Sequence, residues 1–393
     1  MIFYNHPLST LRVGEVLLYM KWLKYLIILL IIYSIFLVQD AQGEIKLTYN
    51  LDRGLIEKEY RLDSDNITLY IPKFNVKGIY VTGWAAGSNQ MNNLIELAER
   101  SVINTMVIDI KDQDGYLSYI SDIPLAKEIG ANKQKIKNLP GLIQRLHNKG
   151  IYTIARIAVF KDSLLAQARG DLAMQIYNKN TGEINRSSSW LDPVNHEVWE
   201  YNLKLAIDAV AMGFDEIQFD YIRYPALANS PIEVVVPENK TMSIVINEFA
   251  QYSKNSLSKH NVPLSIDVYG LTTTAKNDLG IGQDFAELTD IIDIISPMVY
   301  PSHYAEGSYG IAIPELEPGR IINRSLSDAK EKVKEKDQVI IRPWLQDFSL
   351  RYKYTSQEII DQINAAENLG INEWLLWNPS SRYTEEAISN RHF

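Results

Sequence analysis

Two aspartates, Asp220 and Asp267, stand where apolar runs leave a buried core, each beside aromatic or hydrogen-bonding residues. The first closes Glu216-Ile217-Gln218-Phe219-Asp220 and opens onto Tyr221-Ile222-Arg223-Tyr224-Pro225. A carboxylate in that position is costly to hold unless it is hydrogen-bonded, paired or used. Two carboxyls side by side suit acid–base and nucleophilic work at an acetal, where one protonates the leaving oxygen and the other attacks or activates water. Adjacent strands lie about 4.8 Å apart, so acids at equal height on neighbours fall near the roughly 5–5.5 Å spacing of retaining glycoside hydrolysis. Asp220 is assigned as nucleophile and Asp267 as acid/base. The two roles are interchangeable at this level, and Asp347 or Asp109 could replace one member; a pair across the mouth, such as Asp220 with Asp347, would suit inversion. Like charges this close push one pKa upward, as a general acid at neutral pH requires.

Eight short apolar runs carry these groups: Gly78–Trp84, Thr105–Lys111, Tyr152–Phe160, Glu216–Ile222, Leu264–Tyr269, Asp293–Tyr300, Gln338–Trp344 and Glu373–Trp377. Their nearly continuous apolar character is that of strands covered on both faces. Between them lie amphipathic stretches at residues 92–100, 139–148, 196–212, 243–257, 325–334 and 356–369, two of them stopped by Lys149-Gly150 and Leu369-Gly370. Strand–helix alternation predicts an α/β fold with a parallel sheet, and eight units in about 300 residues predict a closed (β/α)8 TIM barrel. An open doubly wound sheet is the alternative, without a G-x-G-x-x-G opening any helix. The long gaps 161–215 and 300–337 are expected over the carboxyl-terminal mouth.

Residues two apart share a strand face. Asp109 with Lys111, Gln218 with Asp220, and Ser265 with Asp267 therefore point together, and each set lies in the carboxyl-terminal half of its run, where barrel enzymes place their chemistry. Sugar binding calls for flat aromatic faces and planar hydrogen-bonding groups. The strand ends supply Trp84, Tyr221, Tyr269, Tyr300, Tyr304, Trp344, Trp377 and Asn378, drawn from seven tryptophans and twenty-three tyrosines. Asp109, Lys111 and Arg156 complete the expected substrate-binding set, with a buried ion pair among those three as the competing reading. Arg223 and Arg156 could steady the carboxylates by bidentate bonds or simply neutralise buried charge.

Net charge is −9 and no long basic block occurs, so nucleic acid is not an expected partner. The absence of cysteine removes thiol chemistry, thiolate metal sites and disulfides. The six histidines form no H-x-H or H-E-x-x-H pair, and no G-x-S-x-G elbow or P-loop is present, so neither a metal nor a cofactor is called for. His303, close after the sixth run, is either a substrate contact or an ordinary loop residue. Lys21 and Lys24 precede the apolar run Tyr25–Val38 and then Ala41-Gln42-Gly43, the form of a signal peptide with a small-x-small cleavage site. Residues 1–43 are thus expected to export the chain or, uncleaved, to attach it to the membrane; Met20 could be the true start. Residues 44–76 read as a short β-rich lead-in and 77–393 as the barrel.

Several motifs sharpen the reading: residues 77–82 (Lys-Gly-Ile-Tyr-Val-Thr), Val107-Ile108-Asp109-Ile110-Lys111-Asp112 with Asp114-Gly115, Ala155-Arg156 through Asp162, Gln218 to Pro225, Ile295-Ser296-Pro297-Met298-Val299-Tyr300-Pro301, Arg342-Pro343-Trp344-Leu345-Gln346-Asp347-Phe348 and Trp377-Asn378-Pro379. Together, from about Lys77 to Tyr383, the chain resembles the bacterial putative glycosyl hydrolase domain family, amylase-like (β/α)8 barrels on exported proteins. The resemblance implies a glycoside hydrolase barrel and carries no substrate over; the reading of the whole chain is an exported glycoside hydrolase acting on a cell-wall, capsule or matrix polysaccharide, with a non-catalytic polysaccharide-binding barrel as the alternative. Relative to true amylases, Gln218 replaces the arginine expected two residues before the nucleophile and no glutamate ends the fifth run, so alpha-glucan specificity does not carry over.

Overall fold

All eight apolar runs form parallel strands of one closed sheet. The structure is a computed structural model that describes residues 44–51, 54–63, 66–70, 75–228, 230–336 and 339–389; the expected export segment, residues 1–43, lies outside the described residues. The chain divides into two units, Met1–Phe74 and Asn75–Phe393. In the first, β1 (Glu44–Leu51), β2 (Gly54–Asp63) and β3 (Asn66–Tyr70) pair as an antiparallel meander. Among the described residues no helix is long and apolar enough to cross a membrane.

In the second unit the barrel staves are β4 (Lys77–Val81), β5 (Thr105–Lys111) and β6 (Tyr152–Ala158). They continue, after the hairpin β7 (Ala173–Asn178) and β8 (Glu183–Leu191), with β9 (Glu216–Asp220). Beyond the short β10 (Ile232–Val234) come β11 (Leu264–Tyr269), β12 (Ile294–Met298), the split stave β13 (Ile340–Ile341) and β14 (Trp344–Gln346), and β15 (Trp374–Trp377). Pairing of β15 with β4 and of β11 with β12 closes the ring. The seventh stave breaks at Pro343, which has no N–H to give its neighbour.

Helices cover the barrel where the amphipathic pattern predicts them. Ser356–Asn368 begins with a capping box in which Thr355 and Glu358 satisfy each other's backbone N–H. The helix expected at 325–334 instead runs Pro318–Val333. Its first turn carries Pro318 and Gly319, which disguise the pattern: proline is tolerated where the N–H is unpaired anyway, and a Cβ at Gly319 would come 3.1 Å from the Asp361 carbonyl.

The gap 161–215 contains, besides its crossover helix His196–Ala211, the β7–β8 hairpin. With β10 on the far side of β7 it makes a small antiparallel sheet, a feature the sequence reading had left as insertion. Its turn was visible as Asn180-Thr181-Gly182, where Gly182 takes φ +73°.

Strand β9 shows how the barrel is filled. Its inward side chains are Glu216, Gln218 and Asp220, all buried. At the amino-terminal end Glu216 accepts from Arg342 Nη1 at 2.8 Å, and Arg342 Nε donates to Glu373 at 2.8 Å. Midway, Gln218 Nε2 donates to Ser296 Oγ at 3.4 Å. Only Asp220 reaches the mouth.

Candidate active site

A cavity of about 460 Å³ opens at the carboxyl-terminal ends of the staves. Asp109, Arg156, Asp220, Tyr221, Arg223, Tyr269, Tyr300, Tyr304 and Trp377, all singled out from sequence, line it. A larger depression, about 690 Å³, lies outside the barrel between the helices Pro318–Val333 and Ser356–Asn368 and contains none of them.

Arg156 organises the polar floor. Its Nη1 donates to Asp109 Oδ1 at 2.5 Å and its Nη2 to Asp220 Oδ2, while Nε lies 3.8 Å from Asp267 Oδ2. Asp109 also accepts from the Tyr80 hydroxyl at 2.5 Å. Asp220 Oδ1 accepts the backbone N–H of Tyr221 at 2.5 Å. Tyr221 takes φ +53°, a left-handed conformation that costs a side-chain-bearing residue about 1–2 kcal/mol; here it turns the chain sharply out of β9.

Burial pushes the Asp109 carboxyl up, with Arg156 and the Tyr80 hydroxyl opposing. Asp267 is raised well above the usual carboxylate range, first by burial and then by the charge of Asp220, against Arg156 and Trp344. Three aspartates around one guanidinium leave an excess of negative charge, and burial together with the charge of Asp220 favours the protonated form of Asp267, which is 1 % exposed.

Aromatic faces make the walls. Trp377 stacks on Tyr80 with ring centres 3.9 Å apart, and the Arg156 guanidinium lies 5.1 Å from the Trp377 ring. Tyr300 is buried and its hydroxyl has no hydrogen-bond partner among the described residues. Burial, followed by the charges of Asp267 and Asp220, holds that phenol well above its ordinary pKa, so it is a hydrogen-bond donor with nothing to donate to. His303, Tyr304, Gln113 and Asp114 complete the rim, and burial lowers the His303 pKa.

Six sequence expectations are corrected. Lys111 shares no face with Asp109: the register slips between them, a β-bulge at Ile110 that turns Lys111 away. Its ammonium is fully buried against Asp162 Oδ2 (2.7 Å), the Ala158 carbonyl (2.9 Å) and Asn202 Oδ1 (3.1 Å). Trp344, also fully buried, does not reach the cavity wall; its Nε1 donates to Asp267 instead. Asp267 itself lies behind Arg156 and is not part of the wall. Asp347 accepts from Thr384 N (2.9 Å) and Oγ1 (2.8 Å), and Asn378 bonds to the Asp347 carbonyl and to Ser380 N. Both belong to the loop framework beyond the cavity. Trp84, 65 % exposed, likewise lies outside the cavity wall.

Tyr80 is the chief residue the sequence reading passed over. A tyrosine in an apolar strand reads as core, yet it occupies the carboxyl-terminal half of β4, the same position that marked the aspartates. Gln113, on the loop after β5, carried no signal beyond polarity, and Asp114 stood out only as part of the Asp114-Gly115 motif.

Among solved structures, the chain is similar to a hypothetical protein from Ruminiclostridium thermocellum ATCC 27405, at 35% identity over 52% of this chain and 98% of that one, with a TM-score of 0.42. It is also similar to the PgaB (BpsB) glycoside hydrolase domain from Bordetella bronchiseptica, at 14% identity over 78% and 94% of the two chains, with a TM-score of 0.56, a likeness of fold. No curated protein matches. The profile of the family described as "Putative glycosyl hydrolase domain" matches residues 78–383, and the chain belongs to that family.

Proposed function

We propose that the chain is an exported glycoside hydrolase that cleaves a cell-wall, capsule or matrix polysaccharide with Asp220 and Asp109 as its working carboxyls. The observation that carries this reading is their meeting on one guanidinium, that of Arg156, at the wall of an aromatic-lined cavity. Asp109 replaces Asp267 in the pair because Asp267 lies behind the wall.

Asp220 attacks the anomeric carbon as the bond to the leaving oxygen breaks, and Asp109, its pKa raised by burial, gives that oxygen its proton. Water then hydrolyses the Asp220 ester, with Asp109 taking the proton back. This two-step route predicts retention of configuration, which the product anomers test. Tyr80 and Arg156 orient Asp109, and the unpartnered Tyr300 hydroxyl meets a sugar hydroxyl. Export is supported by Lys21 and Lys24 ahead of Tyr25–Val38, and cell fractionation tests it.

The purified chain is to be assayed on a polysaccharide panel, with product anomers read by NMR. Asp220→Asn and Asp109→Asn are each expected to lower sugar release by about 10²–10⁴ while leaving glycan binding in place. Undiminished release by Asp220→Asn overturns the assignment. Binding without cleavage by the wild type points to a non-catalytic polysaccharide-binding barrel.

A further inference from the structure

The two arginines of the cavity differ in one respect. Arg156 is matched by carboxylates, whereas Arg223 makes no ion pair among the described residues. One of its five N–H groups donates to the Tyr224 carbonyl at 2.9 Å. Its guanidinium lies against three rings, 5.0 Å from Trp190, 5.4 Å from Tyr221 and 5.3 Å from Tyr269. The rings pack around it, and the N–H groups not taken by the Tyr224 carbonyl remain for whatever enters. A second cation stands on the same tyrosine: Lys161 Nζ is 5.2 Å from the Tyr221 ring and also has no carboxylate partner among the described residues.

These groups are set by structure. Lys161 and Trp190 pair across an antiparallel bridge, and the Trp190 ring meets that of Tyr221 edge-on at 6.0 Å. The β7–β8 insertion thus brings Trp190 to the Tyr221 wall. Among the described residues no acid of the cavity makes an ion pair with either cation: Asp109 and Asp220 are bonded to Arg156, Asp112 to Lys135 at 2.7 Å, and the rim residue Asp114 pairs with neither, although the charge of Asp220 acts on Arg223 from a distance. A partly desolvated guanidinium without an ion-pair partner is best satisfied by a carboxylate meeting it edge-on, with two parallel bonds.

We propose that Arg223, assisted by Lys161, forms a subsite for a carboxylate carried by the glycan, so that the substrate is an acidic polysaccharide. This rests on the hydrolase reading, and the experiment separates the two. The full chain is assayed on a polymer of alternating glucuronic acid and N-acetylglucosamine and on the same polymer after reduction of its carboxyls to alcohols. A preference of about tenfold or more in kcat/KM for the acidic form is expected. Arg223→Gln collapses that ratio through KM, Arg223→Lys restores part of it, and Lys161→Gln, a half-exposed position, reduces it if Arg223→Gln fails to fold. Binding of both polymers to Asp220→Asn, followed by calorimetry, reads the subsite without turnover. Equal affinity for the two polymers, or a ratio unmoved in both glutamine variants, overturns the subsite. Preferential binding of the acidic polymer with no cleavage of any glycan keeps the subsite and removes the hydrolase reading.

Discussion

The indole Nε1 of Trp344 donates to Oδ1 of Asp267 across 2.7 Å, inside the barrel where neither side chain meets the cavity. The bond fixes which way the Asp267 carboxyl faces and leaves Oδ2 toward Arg156, 3.8 Å from Nε. Asp267 therefore sits beside Arg156 and Asp220 without touching substrate. Asp267→Asn keeps an acceptor for the indole and a neutral group beside Asp220. It is expected to lower kcat by less than about tenfold, against the larger general acid–base loss for Asp220→Asn, with KM unchanged. A loss equal to that of Asp220→Asn would return Asp267 to the chemistry.

Tyr80 tunes the proposed acid. Its hydroxyl donates to Asp109 Oδ2, favouring the ionised carboxylate and so opposing the upward push of burial. Tyr80→Phe removes that donor, and the Asp109 pKa rises further. An acid that must carry its proton loses activity as pH climbs through its pKa, so the alkaline limb of the kcat/KM profile moves to higher pH, by about one unit. A limb that stays fixed, or moves down, separates Asp109 from the proton-donating role.

The barrel was legible because its period is coarse. Eight apolar runs and their helices survive boundary errors of several residues, as the helix expected at 325–334 and found at Pro318–Val333 shows. The site was less legible because it depends on which way single side chains turn. Parity gave Gln218 and Asp220 one face of β9 but left Arg156 alone on its strand; the structure sets Arg156 opposite Asp109 and Gln218, one step below Asp220 on that face. Parity failed two residues after Asp109, at Lys111, because one bulged residue reverses every face beyond it and leaves no mark in an apolar strand. Asp267 shows a different limit. The register of β9 and β11, with Ser265 opposite Gln218 and Ile266 opposite Phe219, brings Asp267 level with Asp220 as expected, but its cover by Arg156 and the Trp344 indole is a matter of side-chain packing, which alternation does not encode.

Lys111 and Asp162 form a fully buried pair at 2.7 Å in the layer between barrel and helices. Asp162 also caps the helix Ser163–Ala168 by accepting from Leu165 N. Lys111→Met leaves that carboxylate uncompensated, and a loss of about 3–5 kcal/mol in unfolding free energy is expected. The folded fraction should keep its KM, because Lys111 has no face in the cavity. Denaturant unfolding and steady-state kinetics on the same sample check both; a raised KM with little change in stability would reinstate Lys111 as a substrate contact.

Asp347 supplies a pH dependence that belongs to stability and not to turnover. Burial raises its pKa to about 6, although donors from Thr384 pull the other way. In the unfolded chain the group titrates near 3.9. Between those values the native state binds more protons than the unfolded one, so its contribution is fully present below about pH 4 and is lost as pH rises through about 6. The difference of about two units corresponds to roughly 3 kcal/mol. Asp347→Asn removes the titration while keeping one acceptor for Thr384. Its constant cost from the lost second acceptor is the same at every pH, so the test is the slope. Relative to wild type the variant should gain roughly 3 kcal/mol in unfolding free energy between pH 4 and pH 7, and a flat difference across that range would show that Asp347 is ionised in the folded protein throughout.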